Sequence, residues 1–284
     1  MNAATNEVQA TLPRHDAATG YQPLKGRVAL VTGGSRGIGL GITRKLAAWG
    51  ATLAVNYVDR VKPAREIKAE LEEQGTKISL HQADLADPAA IRRLIDEIQA
   101  EHGELHILVQ NAGATKFAKL KDATLEQWQF VQDTNARATW LLAQAALPLM
   151  SGRPGARYIT ITNSTTTRII PRAGLFAAAK AGLEVITEYL SYELAPYGIV
   201  CNCVRPGLVQ TGVFNVRPDF ANGVRHESAI SPWPDDRSTT AENSADVVAM
   251  LCLDEAEWIA GQTITVDGGY RLWGGVGRVG EQNA

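Results

Sequence analysis

Gly33-Gly34-Ser35-Arg36-Gly37-Ile38-Gly39 stands between an apolar run and a helical pattern, and no other stretch constrains the chain as much. Before it, Val28-Ala29-Leu30-Val31 reads as a buried strand. After it, Gly39 to Trp49 reads as a helix ending at Gly50. Glycines at such a junction let the backbone turn tightly and come close to a pyrophosphate. The free N–H groups and the dipole of the following helix N-terminus attract that group. The turn therefore points to an α/β fold that binds a dinucleotide.

Short apolar runs and helical patterns go on alternating down the chain. Strands are expected at Thr52 to Tyr57, Ile78 to His81, Leu105 to Val109, Ala156 to Ile161, Ile199 to Val204 and Thr263 to Val266. Helices are expected at about Val61 to Glu73, Ala89 to Glu101, Leu125 to Met150 and Gly174 to Ala195. Such alternation specifies a parallel sheet with helices on both faces, and near-continuous apolar strands fit a sheet covered on both sides. The expected fold is a Rossmann-type doubly wound parallel sheet of about seven strands. It should form one domain over 25–270, between a disordered tail at 1–24 and a C-terminal tail at 271–284. Leu208 to Glu242 breaks the rhythm: it holds Pro218, Pro232 and Pro234 and shows no period. A long irregular stretch in a compact domain suits a binding loop, so 208–242 reads as a substrate lid.

Of 284 residues, 45% are hydrophobic and 20% charged, and the formal net charge is -2. That balance suits a globular domain and calls for neither nucleic acid nor an anionic membrane as partner. The polar start of the chain lacks the apolar stretch of a secretory signal, and no run is long enough to span a bilayer; a cytoplasmic location follows by default. Three cysteines, Cys201, Cys203 and Cys252, make an odd count that argues against a disulfide framework. With no further ligands beside them, they read as buried structural thiols, and no metal site is expected.

Further landmarks follow in order: Asp84-Leu85, Asn111-Ala112-Gly113, Asn135, Lys180, Pro206-Gly207 with Val209 and Thr211, and Gln262 to Gly269, reading Gln-Thr-Ile-Thr-Val-Asp-Gly-Gly. Together with Thr32 and the glycine turn, they resemble the short-chain dehydrogenase/reductase family over about Leu24 to Tyr270. The resemblance implies that Gly33, Ser35, Arg36, Gly37, Ile38 and Gly39 hold the pyrophosphate side of a nicotinamide dinucleotide. It implies that Asp84 and Leu85 border the adenine, and that Asn111, Ala112 and Gly113 line the cleft after the fourth strand. Pro206, Gly207, Val209 and Thr211 would touch the nicotinamide end. At the end of the second strand, NAD sites commonly place an acid on the ribose 2′-hydroxyl; here stand Asn56 and Tyr57, with Asp59 two positions on. Arg36 can meet a 2′-phosphate with a bidentate guanidinium, which favours NADP(H). The alternative is a solvated Arg36 with Asp59 on the ribose.

In the family, a tyrosine gives a proton to the carbonyl oxygen while hydride reaches the carbon. A lysine four residues later binds the nicotinamide ribose and lowers the tyrosine pKa, and an upstream serine orients the substrate. Lys180 fills the lysine position and Asn135 that of the tetrad asparagine. Ser164 best matches the serine, one residue short of the usual spacing. The tyrosine position holds Phe176, which has no proton to give; losing a general acid typically costs on the order of 10²–10⁴ in rate. Four readings stay open. A reductase could protonate its substrate by another route: through Ser164, Thr165 or Thr166, through a lid residue such as His226, or through water held by Lys180 and Asn135. A protonated imine would need no acid at all. Phe176 could be an engineered replacement of tyrosine. The scaffold could serve an isomerase or cyclase, or a cofactor-binding protein without turnover.

The substrate is a small molecule of unspecified structure. Val213, Phe214, Phe220, Ile230 and Trp233 suggest a partly apolar pocket, or pack the lid on itself. The family resemblance also implies a homo-oligomer, tetramer or dimer, built through Leu125 to Met150 and Gly174 to Ala195.

Overall fold

The structure, a computed structural model, describes residues 20–209 and 238–273. Seven strands form one parallel sheet: β1 (Val28–Val31), β2 (Thr52–Tyr57), β3 (Ile78–Gln82), β4 (Ile107–Gln110), β5 (Ala156–Ile161), β6 (Ile199–Pro206) and β7 (Thr263–Val266). Their order is β3-β2-β1-β4-β5-β6-β7. The chain thus winds outward from β1 to β3, crosses back to β4 beside β1, and winds the other way. The reversal opens a crevice at the carboxyl ends of β1 and β4, where such sheets bind ligands.

Side chains alternate across the pleat and feed two cores. Ala29 and Val31 of β1 pack with Ile42 and Leu46 of α1 (Gly37–Ala48), Ile67 and Leu71 of α2 (Val61–Glu73) and Val248 of α7 (Ala241–Leu251). Val28 and Leu30 face the other way, onto Ile91 and Leu94 of α3 (Pro88–His102), Leu142 of α5 (Ala138–Met150) and Leu190 of α6 (Gly174–Leu194). Both faces are covered, as the apolar strands require.

Several expected boundaries move, each for a local reason. α1 opens at Gly37, two residues before the expected start, because Gly37 and its neighbours already form the first turn. The Asp87 side chain caps α3 by accepting from Ala89 N–H, with Pro88 in the first turn, and Gly103 ends it at φ 73°. The helix expected over Leu125 to Met150 is not uniform: α4 (Leu125–Gln132) and α5 join through a π turn at Asp133–Arg137. Helix α7 is absent from the expectation. Its start is a capping box in which Thr240 and Asn243 exchange backbone N–H bonds. It packs closely on α1, where a Cβ on Gly41 would lie 3.1 Å from Ala241 O. Tyr270–Trp273 forms one further turn of helix, α8, after β7. Of the expected lid, residues 210–237 lie outside the described residues, and with them Thr211, Val213, Phe214, Phe220, His226, Ile230 and Trp233.

No helix among the described residues is long and apolar enough to cross a membrane. All three cysteines are buried and free. Burial pushes the Cys201 and Cys252 thiols up to about 12 and that of Cys203 to about 11.

Candidate active site

Thr32 ends β1 and ties it to β4. Its hydroxyl donates to Val109 O at 3.3 Å and accepts from the N–H groups of Asn111 and Ala112, both at 3.0 Å. Asn111 Nδ2 reaches back to Thr32 O and Gly33 O at 2.9 and 3.2 Å. The two loops that flank the crevice are therefore one hydrogen-bonded unit. Within it, Gly39 has no room for a side chain: a Cβ would sit 2.2 Å from Gly33 O. Gly33 and Gly37 take φ of 60° and 55°, a region other residues avoid.

No side chain caps the N-terminus of α1, so its N–H groups face the crevice as an anion site. Ser35 is buried and Ile38 half-buried against the α1 side of the core. Arg36 is exposed, and its side chain makes no hydrogen bond or ion pair to a described residue. This cradle fits a pyrophosphate. Asp59 is also exposed.

Asn56 plays a different part from the one its position suggested. It is fully buried, and Oδ1 accepts from Gly33 N–H at 3.3 Å while Nδ2 donates to Ala83 O at 3.0 Å. The side chain tethers the glycine turn to the ends of β2 and β3. Tyr57 is half-buried. Asp84 is exposed, its carboxylate accepting from Ala86 N–H at 2.9 Å, and the Leu85 side chain is buried in the α3 core. Any contact of Leu85 with a ligand would run through its backbone.

The π turn brings Asn135 inward. Its Nδ2 donates to Val131 O and Ala114 O, both at 2.8 Å, and Oδ1 is buried without a partner among the described residues. A π turn inside a helix commonly marks a functional position. Lys180 is 3% exposed and donates to Ile161 O at 2.8 Å. Desolvation lowers its ammonium to about 8. Gly113 joins the two: a Cβ there would lie 2.6 Å from Asn135 Oδ1 and 3.3 Å from Lys180 Nζ. Phe176 is half-buried one helical turn before Lys180, whose Nζ stands 5.6 Å from the ring centre.

The hydroxyls around Ser164 are not equivalent. Thr165 Oγ1 donates to Asn163 Oδ1 at 2.5 Å. Thr166 Oγ1 donates to Glu184 Oε1 at 2.8 Å and accepts from Arg205 Nε at 3.1 Å. Ser164 Oγ makes no hydrogen bond to a described residue. Pro206 and Val209 are buried and Gly207 half-buried. A Cβ on Gly207 would meet Thr239 Oγ1 at 2.7 Å, so the end of β6 and the residue before the α7 cap lie side by side.

A family profile described as Enoyl-(Acyl carrier protein) reductase matches residues 33–271. The 3-oxoacyl-acyl-carrier-protein reductase of Escherichia coli is 35% identical over 248 residues, covering 87% of this chain and 98% of the relative. The chain belongs to the short-chain dehydrogenase/reductase family. Another relative is the NADPH-dependent aldehyde reductase-like protein, chloroplastic, of Arabidopsis thaliana. It is 32% identical over 262 residues, which cover 87% of this chain and 95% of that protein. Among solved structures, a short chain dehydrogenase from Burkholderia cenocepacia in complex with NADP superposes with a TM-score of 0.79 at 35% identity. That match covers 87% of this chain and 98% of the other. Short-chain dehydrogenase/reductase proteins are oxidoreductases, and the seven-stranded Rossmann-type sheet is their fold.

Some of the scaffold of this site went unread in the sequence. Thr32 was visible only as the first residue of the glycine pattern, not as the hydroxyl that joins two loops. Glu184 lies one turn beyond Lys180 and gathers Thr162, Thr166 and Arg205 within 2.8 Å. The helical spacing from Lys180 was the available signal. Thr115 has a buried hydroxyl without a partner among the described residues, and nothing in the sequence marked it.

Proposed function

We propose that the protein is an NADPH-dependent reductase of a ketone, 3-oxoacyl or imine group on a small molecule, with Phe176 at the position that the family resemblance assigns to the acid tyrosine. The observation that carries this reading is the meeting of Lys180, the unpartnered Asn135 carbonyl and Gly113 at the crevice whose other wall is the glycine cradle. Bound NADPH would supply hydride.

The residues divide the remaining work. Gly33, Gly37 and Gly39 with the α1 N-terminus hold the pyrophosphate, and Arg36 takes the 2′-phosphate. The NADP complex of the Burkholderia cenocepacia dehydrogenase and the NADPH-dependent Arabidopsis thaliana relative support that choice. Asp84 borders the adenine, and Asn111, Ala112, Gly113, Pro206, Gly207, Val209 and Thr211 line the path toward the nicotinamide. Lys180 binds its ribose, and Asn135 Oδ1 accepts from a water or a substrate group. Ser164 orients the substrate oxygen and is the side-chain hydroxyl of the 164–166 turn left available for a proton. An imine that arrives protonated would need no donor, which is the substrate class Phe176 favours.

A groove between the π turn, α5 and α6, with Trp140 and Tyr189 exposed beside it, supports assembly of a homo-oligomer through this face. Free buried thiols support a reducing compartment such as the cytoplasm. Titration calorimetry with NADPH and NADH on the purified protein tests the cofactor assignment, and NADPH oxidation over a panel of ketones and cyclic imines tests the reaction. Binding of neither dinucleotide would refute the function.

A further inference from the structure

β3 is the edge strand of the sheet, and alternation turns Ser79 and His81 to the same face, onto the last turns of α3. Both are buried, at 3% exposure each. There they meet Glu97, Glu101 and His102. Nδ1 of His81 lies 3.0 Å from Glu97 Oε2, and its other nitrogen, Nε2, lies 2.8 Å from Ser79 Oγ and 3.8 Å from Glu101 Oε2. His102 Nε2 also lies 2.8 Å from Ser79 Oγ. One ligand atom each from His81, Glu101 and His102 falls within 4.8 Å of the other two.

We propose that His81, Glu101 and His102 bind one divalent transition-metal ion of the zinc type. Two imidazoles with one carboxylate form a donor set that zinc accepts, with a water or the Ser79 hydroxyl completing a tetrahedron. Glu97 fits the same assignment. A carboxylate on the far nitrogen of a histidine is the arrangement that orients a ligating imidazole and raises its basicity. With Glu97 holding the Nδ1 proton, His81 Nε2 presents its lone pair toward Ser79 and Glu101. Donor atoms in a tetrahedral zinc site are about 3.4 Å apart, given bonds of about 2.1 Å. The shortening from the observed spacing falls on Glu101, which is exposed, and His102, which is half-buried. His81 stays as the fixed anchor.

Such an ion would be structural. It would clamp the edge strand to α3. It would also stiffen the end of β3, where His81 O and Ala83 O accept from Asn56 Nδ2 and Asn56 Oδ1 holds Gly33. The cluster lies outside the set of groups around Lys180, so the proposal does not depend on the reaction.

The test uses the full chain stripped with chelator and titrated with zinc chloride by calorimetry, with melting curves in parallel. The wild type should take up one equivalent and melt higher with zinc, because an ion that binds only the folded state stabilises it. Glu97→Gln should weaken binding by about 10–100-fold. Glu101→Gln and His102→Ala should weaken it at least as much while their metal-free melting stays close to wild type, since neither side chain is fully buried. No saturable one-equivalent uptake by the wild type would overturn the proposal. So would uptake of equal affinity in Glu101→Gln and His102→Ala, which would place the ion on other side chains.

Discussion

Lys180 Nζ stands 5.6 Å from the centre of the Phe176 ring, one turn along the same face of α6. The relationship matters because a phenol in place of that ring would sit beside an ammonium, and a neighbouring cation lowers a phenol's pKa. Phe176→Tyr adds one oxygen at a half-buried position. On our reading it should raise NADPH-dependent reduction of an activated ketone by about one to three powers of ten. Reduction of a cyclic imine should gain little. A steady-state comparison of both variants on both substrate classes checks this. No gain on any ketone, with cofactor binding intact, would show that Phe176 is not simply standing in for an acid.

Arg36 is exposed at the mouth of the glycine turn, and its side chain has no partner among the described residues. The wild type should therefore bind NADPH about tenfold or more tightly than NADH, the value of one good charge-assisted contact. Arg36→Ala should remove most of that preference and leave NADH affinity nearly unchanged. Equal affinities for the two in wild-type calorimetry would return the ribose to Asp59.

Burial holds Lys180 down to about 8 against its ordinary value of 10.5. The unfolded chain thus keeps this proton to higher pH than the folded one. Between about pH 8 and 10.5, deprotonation in the folded state relieves the cost of the buried charge, so the Lys180 contribution to stability rises with pH. Below pH 8 the cost is present in full, about 3 kcal/mol at most. The buried thiols act in the opposite sense above pH 9, because the folded state holds their protons longer. Denaturant melts of wild type and Lys180→Met should be subtracted at each pH. The wild type should gain on the variant from pH 8 upward, and a flat difference would contradict the assignment. Lys180→Ala should also weaken cofactor binding, because its ammonium is the group assigned to the ribose.

Thr32→Val keeps the shape of the side chain and removes the oxygen that receives two N–H groups from the Asn111 loop. Ala112 N–H loses its acceptor while Asn111 N–H keeps Val109 O at 3.1 Å; a donor left unpaired in the interior costs about 1–3 kcal/mol, and this part-buried one falls at the low end. The variant should melt lower by that amount and bind NADPH more weakly, since both walls of the crevice hang on this hydroxyl. Unchanged melting would mean that other bonds carry the junction.

Strand positions and the glycine turn were legible because they depend on local chemistry. Apolar runs such as Val28–Val31 can only be covered strands here, and a turn with Gly33, Gly37 and Gly39 has few uses. At Asn56 the sequence shows a place at the end of β2, not what the side chain holds. Only the fold shows that Gly33 and Ala83 converge on it. Helix α7 is hard to read because Ala241–Leu251 follows a stretch without period, and only the Thr240 and Asn243 box marks its start. The π turn at Asn135 is invisible in a helical pattern, as it adds no break in hydropathy. The Ser79, His81, Glu97, Glu101 and His102 cluster was hidden for another reason. Its members come from two elements whose pairing is fixed by packing, not by spacing along the chain.

The central claim is that this scaffold moves hydride from NADPH to a small molecule despite Phe176. Its most direct test is isotopic. Wild type and Phe176→Tyr are incubated with NADPH deuterated at the transferable position and a panel of ketones and cyclic imines, and the products are weighed by mass spectrometry. The account predicts one deuterium on the reduced carbon of at least one product of the wild type, with more label from ketones in Phe176→Tyr. Bound NADPH with no label in any product of either variant would contradict it and leave a scaffold that holds the cofactor without using it.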